Sequence, residues 1–140
     1  MDYETVDADA FGRSLTGFGV NLLTTDVRGL AAFLTEVFEL EAFQVSDDFA
    51  IVQNGDAVMQ LHSDRTYGNH PLLAYVPENP PRGGGFQLYL FNIDPDKAES
   101  RANGLGFTVI ETSADKPHGL RECTILSPEG YAFSPAAPKG

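Results

Sequence analysis

Residues 19–38, GVNLLTTDVRGLAAFLTEVF, read as a strand, a pivot at Asp26 and a helix. In the strand half, Val20 and Leu22 alternate with Gly19, Asn21 and Leu23, the period of two that separates the faces of a sheet. The helix half sets Leu30, Ala31, Leu34, Val37 and Phe38 at helical spacing. Asp26 suits the N-cap, where a short carboxylate accepts from the unbonded amides of the first turn. The pattern returns at 87–102, QLYLFNIDPDKAESRA, with Asp94 as the cap and Pro95 at the first helical position. Asp26 and Asp94 hold the same place in each copy. Two copies of one module are therefore predicted.

Outward from the first copy, EAFQVS (41–46) and FAIVQ (49–53) read as strands, and DAVMQLH (56–62) returns after a turn at Asn54-Gly55. The second copy continues with strands at 107–112, 119–126 and 131–134, its helix ending near Asn103-Gly104. The order is β-α-β-β-β, twice. Residues 1–16 are polar and acidic without a clear period and read as an N-terminal arm. Residues 63–85 form a connector with four prolines and an apolar island at 72–76. A connector of that length in a compact domain points to a functional loop or an interface.

The chain has 140 residues and a net charge of −11. That charge argues against nucleic acid and anionic membrane as partners, since both recruit basic patches. No stretch reaches the ~18 apolar residues of a membrane helix. The acidic start has neither the basic nor the apolar region of a signal peptide, and Cys123 is the single cysteine. A cytoplasmic location is the expectation. No phosphate-cradling loop is present, because Gly83-Gly84-Gly85 precedes a strand instead of joining one to a helix.

Three pieces carry a family resemblance: the opening strand–Asp–helix with FLTEVFELEAF (33–43), its echo QLYLFNID–helix–GLGF (87–107), and HGLRECTILSPEGYAF (118–133). In this order and spacing the chain resembles the vicinal oxygen chelate superfamily: glyoxalase I, bleomycin-resistance proteins and extradiol dioxygenases. Ser127 stands where the third motif usually has Asp. The resemblance spans residues 17–135. It implies an α+β fold, two βαβββ modules (17–62 and 86–134) whose curled mixed sheets enclose a cup. The cup forms within one chain or between two. It also implies a homodimer, the commonest closed assembly.

In metal-dependent members, four side chains on the first and last strands of the modules bind a divalent cation. Counting back seven residues from each capping Asp, and taking the last strands, maps these positions to Gly19, Gln60, Gln87 and Ser134. Glycine offers no ligand and no carboxylate remains, whereas such ions take imidazole, carboxylate or several well-placed oxygens. No metal and no other cofactor is expected.

Strand alternation puts Asn21, Gln60, Gln87, Tyr89, Phe91, Thr124 and Ser134 on the cup face, as ligand-binding candidates. A pocket of this kind mixes apolar walls with a few placed polar groups; a dry packed sheet would use the same residues. Glu122 joins them if Cys123 and Ile125 face the helices. Glu122 reads either as a base or cation anchor, or as a surface ion pair with Arg121. His62 reads either as a general acid/base, since imidazole titrates near neutrality, or as a solvated strand end. The resulting expectation is a metal-independent protein that binds a small organic molecule. The alternative is a lyase, isomerase or dioxygenase with an atypical or metal-free site.

Overall fold

The computed structural model describes residues 1–140. The chain divides into two units, residues 1–35 with 40–73, and residues 36–39 with 74–140. The first holds helix α1 (Ala8–Ser14), strand β1 (Asn21–Thr24), most of helix α2 (Val27–Phe38), and strands β2 (Glu41–Phe43), β3 (Phe49–Asn54) and β4 (Ala57–Ser63). The second holds β5 (Gln87–Phe91), α3 (Pro95–Leu105), β6 (Thr108–Asp115), β7 (Leu120–Leu126) and β8 (Ala132–Pro138). Two short 3-10 turns, Asp64–Tyr67 and Pro71–Tyr75, follow β4. No helix is long and apolar enough to cross a membrane.

Each unit is a four-stranded mixed sheet with one connectivity: β1-β4-β3-β2 in the first and β5-β8-β7-β6 in the second. In both, the first and last strands run parallel and the other pairs antiparallel. The registers match as well. Asn21 and Tyr89 each stand five residues before a capping Asp, and pair with Gln60 and Ser134 respectively. The βαβββ repeat and the α+β class read from the sequence are therefore present.

Local chemistry explains the helices. Asp26 Oδ1 accepts from the Gly29 amide at 2.9 Å. A Cβ at position 29 would lie 2.2 Å from the Asp26 carboxylate, so glycine makes room for the cap. Asp94 likewise accepts from the amides of Asp96 and Lys97. The predicted apolar stripe of α2, Leu30, Ala31, Leu34, Val37 and Phe38, is buried throughout. In the second unit, α3 packs over β6, β7 and β8.

Several boundaries differ from expectation. Gly19 lies outside β1, which begins at Asn21. The β3–β4 turn falls at Gly55-Asp56, one residue late, because Asn54 pairs with Ala57 and Gly55 alone takes the positive φ. Helix α3 runs past Gly104 to Gly106, which has the left-handed φ of 81° and donates back to Ala102 and Asn103. Strand β8 runs on to Pro138 instead of stopping at Ser134. Pro135 is tolerated where the β7–β8 ladder opens, between Ile125↔Phe133 and Glu122↔Ala136, since it has no N–H to donate.

The arm is the largest difference. Residues 8–14 are helical, with Asp7 capping through the Ala10 amide. Gln44, at φ 52°, fastens the segment: its side chain donates to the carbonyls of Tyr3 (2.7 Å) and Val6 (3.0 Å), and its amide donates to Glu4. Tyr3 meets the rings of Phe11 and Phe43 at 6.0 and 5.8 Å.

Candidate functional site

Strand alternation gives the first sheet a polar face. Phe49, Ile51, Gln60, His62 and Asn21 share it, while Ala50, Val52, Met59 and Leu61 are buried on the other. A cavity of about 540 Å³ lies between α1 and this face, lined among others by Phe11, Leu15, Phe49, Ile51, Gln60 and His62. Asn21 Nδ2 donates to the Tyr67 hydroxyl, which turns its Oδ1 toward His62 Nδ1 at 2.6 Å. An acceptor there holds the proton on Nδ1 and leaves Nε2 with its lone pair. The rings of Phe49 and Tyr67 lie 5.0 and 5.9 Å from the imidazole. His62 is thus a positioned, half-buried group and not a solvated strand end.

Burial pushes the His62 pKa below its ordinary 6.5. The unfolded chain then takes up the proton first as pH falls. The stabilisation from neutral His62 is complete above about pH 6.5 and is lost as pH drops through the lower folded value. Urea midpoints should fall between pH 7 and 5 more steeply for the wild type than for His62→Gln. Parallel slopes would contradict this.

On the second sheet, Gln87, Tyr89 and Phe91 line one face of β5. Tyr89 and Phe91 stack nearly parallel, centroids 5.5 Å apart with 9° between planes, and Phe91 is 53% exposed. Gln87 Nε2 donates to Ser134 Oγ at 2.8 Å, and Ser134 Oγ lies 2.8 Å from Thr124 Oγ1. The Gln87 amide thus finds a protein partner in Ser134.

The condition set for Glu122 is met. Cys123 and Ile125 are buried on the helix side, and Cys123 Sγ donates to the Pro95 carbonyl at the start of α3. Burial pushes the Cys123 thiol up to about 11, the state of an inert buried thiol. Glu122 therefore faces the opposite way, only 3% exposed, within interaction range of the Tyr89 phenol. Burial first, and then the Glu122 carboxylate, push the Tyr89 pKa upward. The expected surface pair with Arg121 does not form. Neighbours along a strand point to opposite faces, and Arg121 bonds Asp96 at 2.8 Å and Asp115 at 3.2 Å instead. His118 Nε2 lies 3.1 Å from Glu122 Oε1.

The sequence reading set these residues on one cup face; the structure places His62, Asn21 and Gln60 on the sheet of the first unit, and Gln87, Tyr89, Phe91, Thr124, Ser134 and Glu122 on that of the second. It missed Tyr67, which reaches Asn21 from a 3-10 turn 46 residues away. Its signal was the connector already marked as a functional loop or an interface.

The four positions that hold a cation in the resembling family fit one poorly. Gly19 has no side chain, and Ser134 and Gln87 are bonded to each other. No three His, Cys, Asp or Glu side chains converge anywhere in the chain.

No family model and no curated protein matches this sequence. Solved structures do. A glyoxalase/bleomycin resistance protein/dioxygenase family enzyme from Burkholderia phytofirmans PsJN is 20% identical at a TM-score of 0.70, over 86% of this chain and 97% of its own. A glyoxalase/bleomycin resistance protein/dioxygenase from Nocardioides is 18% identical at 0.63, over 92% and 90%. Lactoylglutathione lyase from Agrobacterium tumefaciens is 18% identical at 0.61, over 87% and 92%. At such identities the likeness is one of fold, and the fold is the glyoxalase/bleomycin-resistance one expected from the motifs.

Proposed function

We propose that this chain, built on the glyoxalase/bleomycin-resistance fold, binds a small organic molecule without a metal ion. The observation that carries the reading is the face of the second sheet. Parallel, partly exposed Tyr89 and Phe91 rings lie on one strand with Gln87, whose amide joins the hydroxyls of Ser134 and Thr124. A flat apolar wall with a few fixed polar groups is the usual make-up of a small-molecule site. Metal independence is supported by the donor set, in which amide and hydroxyls satisfy one another. A homodimer belongs to the same reading, supported by the exposed Leu72 and Tyr75 of the apolar island.

A thermal-shift screen of planar organic compounds tests this. A compound at 100 times its dissociation constant stabilises by about 2.7 kcal/mol. Hits on the wild type should lose most of their effect with Tyr89→Ala and part of it with Gln87→Ala. Protein purified without chelator should carry no stoichiometric transition metal by elemental analysis. No hits on the wild type, together with two strongly destabilised variants, would mean this face is only packed structure.

A second reading has its own observation. Asn21 fixes the tautomer of His62 beside a cavity, which supports acid–base chemistry of the lyase or isomerase type at Nε2. Proton exchange from a carbon acid, abolished by His62→Gln, would favour it.

A further inference from the structure

The face that carries the proposed binding site also holds a carboxylate without enough partners. Glu122 is 3% exposed, and its Oε1 has no hydrogen-bond donor. His118 Nε2 comes within 3.1 Å of that oxygen as an ion-pair contact, without forming a hydrogen bond to it. The Tyr89 phenol lies within interaction range of the carboxylate, yet a carboxylate accepts about four donors. The residues opposite Glu122 on both neighbouring strands are alanines, Ala114 and Ala136, which bring methyl groups instead of donors. Lys116 lies within electrostatic reach, but its ammonium is engaged by Glu111 at 3.0 Å. Arg121 is bound to Asp96 and Asp115. A buried carboxyl oxygen left without a hydrogen bond is costly, because its desolvation is not offset by a donor.

We infer that Glu122 is the anchor for a cationic nitrogen, so that the molecule bound on this face is an organic amine carrying a flat unsaturated group. This rests on the small-molecule reading above and narrows it to a ligand class. A protonated amine brings up to three N–H donors and a permanent positive charge. The Tyr89 ring, whose phenol interacts with Glu122, continues into the stack with Phe91 at 5.5 Å. A ligand nitrogen at the carboxylate thereby places its carbon frame along those rings, where stacking and cation–π attraction add to the ion pair. An anionic ligand would meet Glu122 and a chain of net charge −11. A metal ion would find this one carboxylate without a further set of His, Cys, Asp or Glu around it.

The test uses the full chain and two probes of one shape, phenethylammonium and neutral 2-phenylethanol, titrated by amide chemical-shift mapping. Phenethylammonium should bind at least tenfold more tightly than the alcohol, with shifts at Tyr89, Glu122 and Thr124. Glu122→Gln, which keeps shape and burial, should remove that preference, and an amide spectrum otherwise unchanged from the wild type confirms an intact fold. Equal binding of both probes to the wild type, or a preference that survives Glu122→Gln, would overturn the amine assignment while sparing the binding site. Failure of both probes to bind this face would overturn the assignment and count against the site itself.

Discussion

Phe11→Ala should release the first 16 residues and destabilise the first unit by about 3 kcal/mol, the low end for deleting a buried phenylalanine. Phe11 is 6% exposed and is the buried anchor of α1. A helix of seven residues has little stability of its own, since isolated helices under ~12 residues are marginal in water. Its order comes from docking. Phe11 meets Tyr3, Tyr3 meets Phe43, and Gln44 holds the carbonyls of Tyr3 and Val6. Removing the ring opens the cavity that α1 covers and leaves the Gln44 bonds and the Tyr3–Phe43 contact to hold the segment. The amides of Ala8–Ser14 should lose hydrogen-exchange protection, and trypsin should cut at Arg13 within minutes. Unchanged cleavage, with protection retained, would mean that Gln44 and the backbone suffice to seat the arm.

Ser134→Ala should cost about 2 kcal/mol, within the range for leaving a buried polar group unpaired. Ser134 is 0% exposed and joins Gln87 to Thr124. Gln87 lies at the surface and can turn to water, whereas Thr124 is buried and keeps an orphaned hydroxyl. Adding Thr124→Val removes that orphan with little change of shape. The double variant should therefore be more stable than Ser134→Ala alone, a positive coupling in a double-mutant cycle. Simple additivity in denaturant melts would show that Thr124 does not depend on Ser134. The experiment bears on metal independence, because a self-satisfied Gln87–Ser134–Thr124 chain leaves no donors converging on an ion.

What the residues determined by themselves is everything written within one turn or one strand. The Asp26 and Asp94 caps, the Pro95 start and the buried stripe of α2 depend on neighbours a few positions apart. So does the face of each strand: the period of two placed Gln60 with His62, Gln87 with Tyr89 and Phe91, and Glu122 opposite Cys123. Repetition of those local signals was enough for the βαβββ order and the fold class. Element ends were less legible, because Gly104 and Gly106 both offer a helix stop and only the backbone shows which takes the left-handed φ. The tertiary structure decided the pairings between residues far apart. Gln44 holds Tyr3 across 41 positions, Asn21 bridges His62 and Tyr67, and Arg121 turns to Asp96 across 25, away from Glu122. None of these has a local pattern. Each forms because sheet pairing brings the chain segments together, and burial then makes any unpaired polar group expensive. That is why the arm reads as featureless in sequence yet folds as a helix, and why Glu122 becomes a buried carboxylate short of donors only once the strands are assembled.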